Sequence, residues 1–168
     1  MKAVANWTVA REEQWPEHWQ RIAPFDPGPV PVIDILLLLQ GDPGVGKTTL
    51  TRYIARFLDI EDNVNSPSFN LLNEYRSKHW LLWHYDLYRL TSPGELEMLD
   101  FQDRWEGRYP LPLEKQSVLQ VVEWPERYSP DLMYFSKLAH QKPVYSLQLS
   151  LDAAAPLSEK RQARLLEL

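Results

Sequence analysis

Residues 35–49 read ILLLLQGDPGVGKTT: an apolar run passes into a glycine-rich loop, then a lysine and two threonines. The whole run VIDILLLL (32–39) lacks the alternation of a half-exposed strand and predicts a strand buried on both faces, as in a parallel sheet. Beyond the loop, Leu50, Ile54, Phe57 and Leu58 share one side of a helix predicted over Lys47–Leu58. A strand, a glycine loop and a helix in that order point to an α/β fold. Gly41, Gly46, Lys47 and Thr48 also satisfy G-x-x-x-x-G-K-[ST], in the strand-to-helix context that this motif requires.

The spacing has a chemical reason. Glycines let the backbone turn and bring N–H groups against phosphate oxygens with no Cβ in the way. A helix starting at Lys47 adds the positive end of its dipole. The Lys47 ammonium is placed for the outer phosphates and the Thr48 hydroxyl for Mg²⁺. The expected cradle is Gly41, Asp42, Gly44, Val45, Gly46, Lys47, Thr48 and Thr49. Its expected ligand is a nucleoside triphosphate.

Working outward, residues 8–23 predict a short helix with Trp15, Trp19 and Ile22 on one stripe, and PFDPGPVP (24–31) an extended connector. LLNEY (71–75) and WLLWHYD (80–86) predict two strands joined at SKH. A helix is expected from Pro93 to about Trp105, with Leu96, Leu99 and Met98 inward. SVLQVV (117–122) predicts another buried strand, ending at Glu123. VYSLQLSL (144–151) and ARLLEL (163–168) alternate and predict an edge hairpin with an Ala-rich turn at 153–155. The expected architecture is one domain over residues 1–168: a P-loop NTPase-type three-layer sandwich, mostly parallel in its central sheet, with antiparallel edge strands.

Composition narrows the function classes. The chain has 168 residues, no cysteine and a formal net charge of -5, which removes disulfides and thiolate metal sites and argues against a basic nucleic-acid grip. No apolar stretch reaches the length of a membrane span. A cytoplasmic location is the expectation, with no membrane partner and no direct DNA binding.

Ligands of open α/β sheets sit beyond the carboxyl ends of the strands. Asp86 and Glu123 close two predicted strands and are jointly expected to serve Mg²⁺ and to position water, with Thr48 as the third metal ligand. The alternative for each is a helix cap or a pairing with Arg89 or Arg127, and Arg89 is expected to pair with an acid. His84, two residues before Asp86, is expected to be a structural group. Trp124 has two readings, a stack on a base or a plug in the site wall. In NSPSF (65–69), Ser66 and Ser68 offer hydroxyls where such NTPases carry a nucleotide-sensing switch.

GDPGVGKTT, NSPSF, HYDLYRL with PGELEMLDF after it, and VVEWPE together resemble the TsaE (YjeE) family of small bacterial P-loop ATPases, over about residues 36–127. The resemblance implies ATP/ADP and Mg²⁺ as cofactors, Asp86 and Glu123 as the two acidic motif residues, and Ser68 where the family usually has threonine. It further implies action with TsaD and TsaB in threonylcarbamoyladenosine modification of tRNA, as an ATPase that resets that complex and meets tRNA only indirectly. Pro43 departs from the leucine usual in the loop, and residues 1–31 match the family poorly. Two other readings stay open here. One is a small-molecule or nucleotide kinase, for which no arginine-bearing lid stands out; the other is a nucleotide-gated assembly factor with incidental hydrolysis.

Overall fold

The computed structural model describes residues 2–9, 14–15, 33–92, 94–97, 100–110, 116–152 and 160–168. Its strands are β1 (Lys2–Val9), β2 (Asp34–Gln40), β3 (Leu72–Arg76), β4 (Trp80–Asp86), β5 (Ser117–Glu123), β6 (Val144–Leu151) and β7 (Arg161–Glu167). Its helices are α1 (Lys47–Phe57), the short α2 (Gly94–Glu97) and α3 (Phe101–Trp105), and α4 (Met133–Leu138). The strands form one mixed sheet in the order β1-β7-β6-β2-β5-β4-β3. Strand β2 runs parallel to both β5 and β6, and β4 runs parallel to β5. The outer pairs β3–β4, β6–β7 and β1–β7 are antiparallel.

The unbroken apolar run is explained by this position. Ile35, Leu37 and Leu39 of β2 point into one core with Leu50 and Ile54 of α1. Leu36 and Leu38 point into a second core with Phe101 and Trp105 of α3 and Phe135 of α4. A central strand with helices on both faces has no solvent side, so its sequence does not alternate.

Several expectations change. Thr8 and Val9, expected to begin a helix, lie in β1. Trp15 is buried, while Trp19, Ile22 and the connector 24–31 fall outside the described residues. The helix expected from Pro93 to Trp105 is two short pieces, with Asp100 between them in the left-handed region at φ 54°. Leu96, Phe101 and Trp105 still face the core, so the apolar spacing survived the break; Met98 and Leu99 are not described. The C-terminal hairpin is internal, because β1 adds outside it and takes the edge; its turn at 153–155 is likewise outside the described residues.

Candidate functional site

The loop 41–46 leaves the carboxyl end of β2 and enters α1 at Gly46, whose φ of 102° favours glycine. Gly41 has a different reason for lacking a side chain: a Cβ there would meet the Leu149 carbonyl oxygen at 2.2 Å. Beside the loop, β4 and β5 end in register, with Asp86 opposite Glu123. The two strand-end acids therefore stand next to each other at the rim that carries the loop. A cavity of about 430 Å³ lies there, lined among others by Gly44, Gly46, Lys47, Thr48, Asp86 and Glu123.

Lys47 is folded back on its own loop. Its Nζ donates to the carbonyls of Gly41 at 2.6 Å and Asp42 at 3.0 Å, and sits 3.7 Å from the centre of the Trp124 ring. Burial pushes its pKa below the ordinary lysine value, opposed by Glu123, Glu126, Asp86 and Asp42. The Thr48 hydroxyl donates to Glu123 Oε1 at 2.8 Å. His84 Nε2 meets the same oxygen at 2.8 Å, and because a carboxylate only accepts, the proton of that pair is on Nε2. Glu123 Oε1 is thus held by two donors, while Oε2 has no hydrogen-bond partner among the described residues. Asp86 accepts from the Ser66 hydroxyl through Oδ2 and from the Tyr88 N–H through Oδ1 at 3.0 Å. Hydroxyl and carboxylate oxygens are hard ligands, so Thr48, Asp86 and Glu123 fit Mg²⁺ in kind.

Of the expected residues, Gly44, Gly46, Lys47, Thr48, Thr49, Ser68, Asp86 and Glu123 line the cavity, as does Trp124, whereas Gly41, Asp42 and Val45 do not, Val45 being buried in the core. Of the serines it is Ser66, not Ser68, that bonds Asp86. His84 is fully buried and hydrogen-bonded to Glu123, as a structural group behind that carboxylate. Among the described residues neither acid forms a salt bridge with an arginine. Arg89 stacks 5.0 Å over Phe69, and Arg127 lies 5.6 Å from the Tyr88 ring centre. Arg161, unassigned from sequence, donates from Nε to the Val45 carbonyl at 2.7 Å. A contact spanning that much sequence leaves no local signal.

The family described as threonylcarbamoyl adenosine biosynthesis protein TsaE matches residues 9–155. The chain is 43% identical over 93 residues to the tRNA threonylcarbamoyladenosine biosynthesis protein TsaE of Synechocystis, covering 55% of each chain. It is 36% identical over 93 residues to that of Haemophilus influenzae, covering 55% of this chain and 53% of the relative. The chain thus spans about half the length of these curated relatives. The crystal structure of Bacillus subtilis YdiB shares the fold, with a TM-score of 0.55 at 21% identity over 98% of this chain and 86% of that one. With a family match running from the end of β1 to beyond β6, the chain belongs to the TsaE family.

Proposed function

We propose that this protein is a P-loop ATPase that binds ATP with Mg²⁺ at residues 41–49, hydrolyses it, and serves threonylcarbamoyladenosine modification of tRNA by resetting a TsaD–TsaB complex between turnovers. One observation carries the reading: Lys47, Thr48, Asp86 and Glu123 converge on one cavity beyond the carboxyl ends of β2, β4 and β5. Membership of the family supports the pathway.

The residues divide the work. Lys47 exchanges the Gly41 and Asp42 carbonyls for phosphate oxygens, trading neutral acceptors for charged ones. Thr48, Asp86 and Glu123 would hold Mg²⁺ through their oxygens, with the Thr48 hydroxyl released from Glu123. Mg²⁺ held there would offset the charge that develops on the transferred phosphoryl group. Glu123, kept in place by His84, presents its unoccupied oxygen to the attacking water. Ser66 ties the loop 65–69 to Asp86, so a change at Asp86 reaches the surface. Phe69, 85% exposed, and Tyr88 give that surface an aromatic character suited to a protein partner. The net charge of -5 suits a protein that leaves tRNA to its partners.

Phosphate release measured with and without TsaB and TsaD tests this reading, with Glu123→Gln as the control. Slow release alone, stimulation by the partners, and loss of both hydrolysis and tRNA modification in the variant are expected. A Glu123→Gln protein that binds ATP without hydrolysing it and still supports modification would make occupancy, not hydrolysis, the essential step. Transfer of the γ-phosphoryl group to a metabolite would sink the ATPase reading in favour of a kinase.

A further inference from the structure

Two strands outside the cavity press on the loop that forms it. The Leu149 carbonyl of β6 occupies the space that a side chain at Gly41 would need. From β7, Arg161 reaches under the loop, is largely buried, and donates from Nε to the Val45 carbonyl at 2.7 Å. The same side chain lies 3.1 Å from where a Cβ on Gly46 would stand. Arg161 is not among the residues that line the cavity, so it acts on the loop from behind.

The consequence follows from peptide geometry. The Val45–Gly46 bond is trans, as are the other described peptide bonds, and in a trans peptide the C=O and the following N–H point in opposite directions. A cation that holds the Val45 carbonyl on one side therefore turns the Gly46 N–H to the other. That N–H makes no backbone hydrogen bond among the described residues, and Gly46 itself lines the cavity. A charged donor on the carbonyl also polarises the peptide, which strengthens its N–H as a donor.

We infer that Arg161 is a positioning residue for anion binding: it pins the Val45 carbonyl so that the Gly46 N–H stays presented to a phosphate oxygen. The inference rests on the nucleotide reading of the cavity and adds the strand that keeps the cradle in shape. It also removes Arg161 from the arginines available to a kinase lid, since its Nε is committed to the loop backbone.

Gly46 is the one glycine that follows a valine in this chain, so ¹³C′-valine with ¹⁵N-glycine labelling isolates the Val45–Gly46 peptide in an NMR spectrum of the full chain. In Arg161→Leu, the Val45 carbonyl resonance moves upfield in the free protein as its hydrogen bond is lost. ADP affinity falls at least about tenfold, since a charge-assisted bond to the cradle has gone. Arg161→Lys, which restores a cation of similar reach, recovers part of both effects. The loss appears in KM for ATP more than in kcat, because Arg161 does not touch reacting atoms. An unmoved Val45 resonance in Arg161→Leu, or ADP binding within about twofold of wild type, overturns the role of Arg161. If Arg161→Leu does not fold, Arg161→Met, which keeps a long side chain without cation or donor, carries both readouts, and wild-type values for both overturn the role equally. Failure of the wild-type protein to bind ADP or ATP is a different result, and it overturns the nucleotide reading first.

Discussion

The sheet carries a buried polar cluster at each end of β2, and the two are built differently. At the amino end, Asp34 takes Lys142 Nζ on one oxygen and Gln120 Nε2 on the other at 2.9 Å. Gln120 in turn donates to the Arg104 carbonyl at 3.0 Å and accepts from the Tyr85 hydroxyl at 3.3 Å. Asp34 and Gln120 have every side-chain polar atom engaged by neighbours. At the carboxyl end, Glu123 keeps an oxygen without a hydrogen-bond partner among the described residues, Lys47 donates to carbonyls of its own loop, and the cluster lines a cavity. A closed network ties β2, β4, β5 and α3 together, whereas an open one is arranged to exchange its partners for a ligand. Both ends bury a lysine near a carboxylate; the difference is what remains unspent.

That contrast is sharpened by breaking each cluster at its cation or its acid. Lys47→Met should reduce ATP affinity on the order of a thousandfold, about 4 kcal/mol, because it removes the charge that faces the phosphates. Its stability should hardly change, since the partners it leaves are carbonyls near a cavity open to water. Isothermal titration and chemical denaturation measure the two effects. Asp34→Ala should behave in the opposite way. It strands the buried Lys142 ammonium and a Gln120 donor, costing about 2 kcal/mol of stability, with nucleotide affinity unchanged. The double replacement Asp34→Leu with Lys142→Met should be less damaging than Asp34→Ala alone, because it leaves no unpaired charge. Additive losses would show that the amino-end cluster is not a coupled network.

What the sequence revealed divides along the same line of local against distant. The strand β2, the loop and α1 were legible because an apolar run, a glycine spacing and a helical period all lie within about 25 residues. Asp86 and Glu123 were legible as strand ends because each closes a mostly apolar run. The edge strand β1 was not, since its partner is β7, with Lys2 opposite Glu167 at the other end of the chain. For the same reason the C-terminal hairpin was placed at an edge, and Arg161 was left without a task. The break at Asp100 escaped because Leu96, Phe101 and Trp105 keep an apolar spacing across a residue that needs no glycine to turn. Ser66 and Ser68 could not be told apart, because either hydroxyl is within reach of a strand end from that loop.

His84 tests how the open cluster keeps its geometry. A glutamine side chain carries its amide nitrogen where the imidazole carries Nε2, while phenylalanine keeps ring volume without a donor. His84→Phe is expected to lower kcat for ATP hydrolysis about tenfold with little change in KM, the mark of a group that orients another. His84→Gln should recover most of that loss. Wild-type activity in both variants would mean that Glu123 keeps its working orientation without a donor from position 84.

The smallest effect concerns Lys142 and the closed cluster. Burial lowers its pKa from the ordinary lysine value, and the nearby Asp34 carboxylate only partly offsets this. In the pH window between that lowered value and the ordinary one, the unfolded chain holds the proton that the folded chain has released. Stability therefore rises with pH across the window: the penalty for burying the charged amine is full below the folded pKa and absent above the unfolded one. Tyr85, whose pKa burial raises well above its usual value, works in the opposite direction as it holds its proton longer in the folded state. Comparing wild type with Lys142→Met cancels the tyrosine contribution, and the wild type should gain on the variant by under about 1 kcal/mol as denaturation curves are taken from neutral to strongly alkaline pH. A constant difference across that range would mean that Lys142 titrates as an ordinary surface amine and that the amino-end cluster is open to water after all.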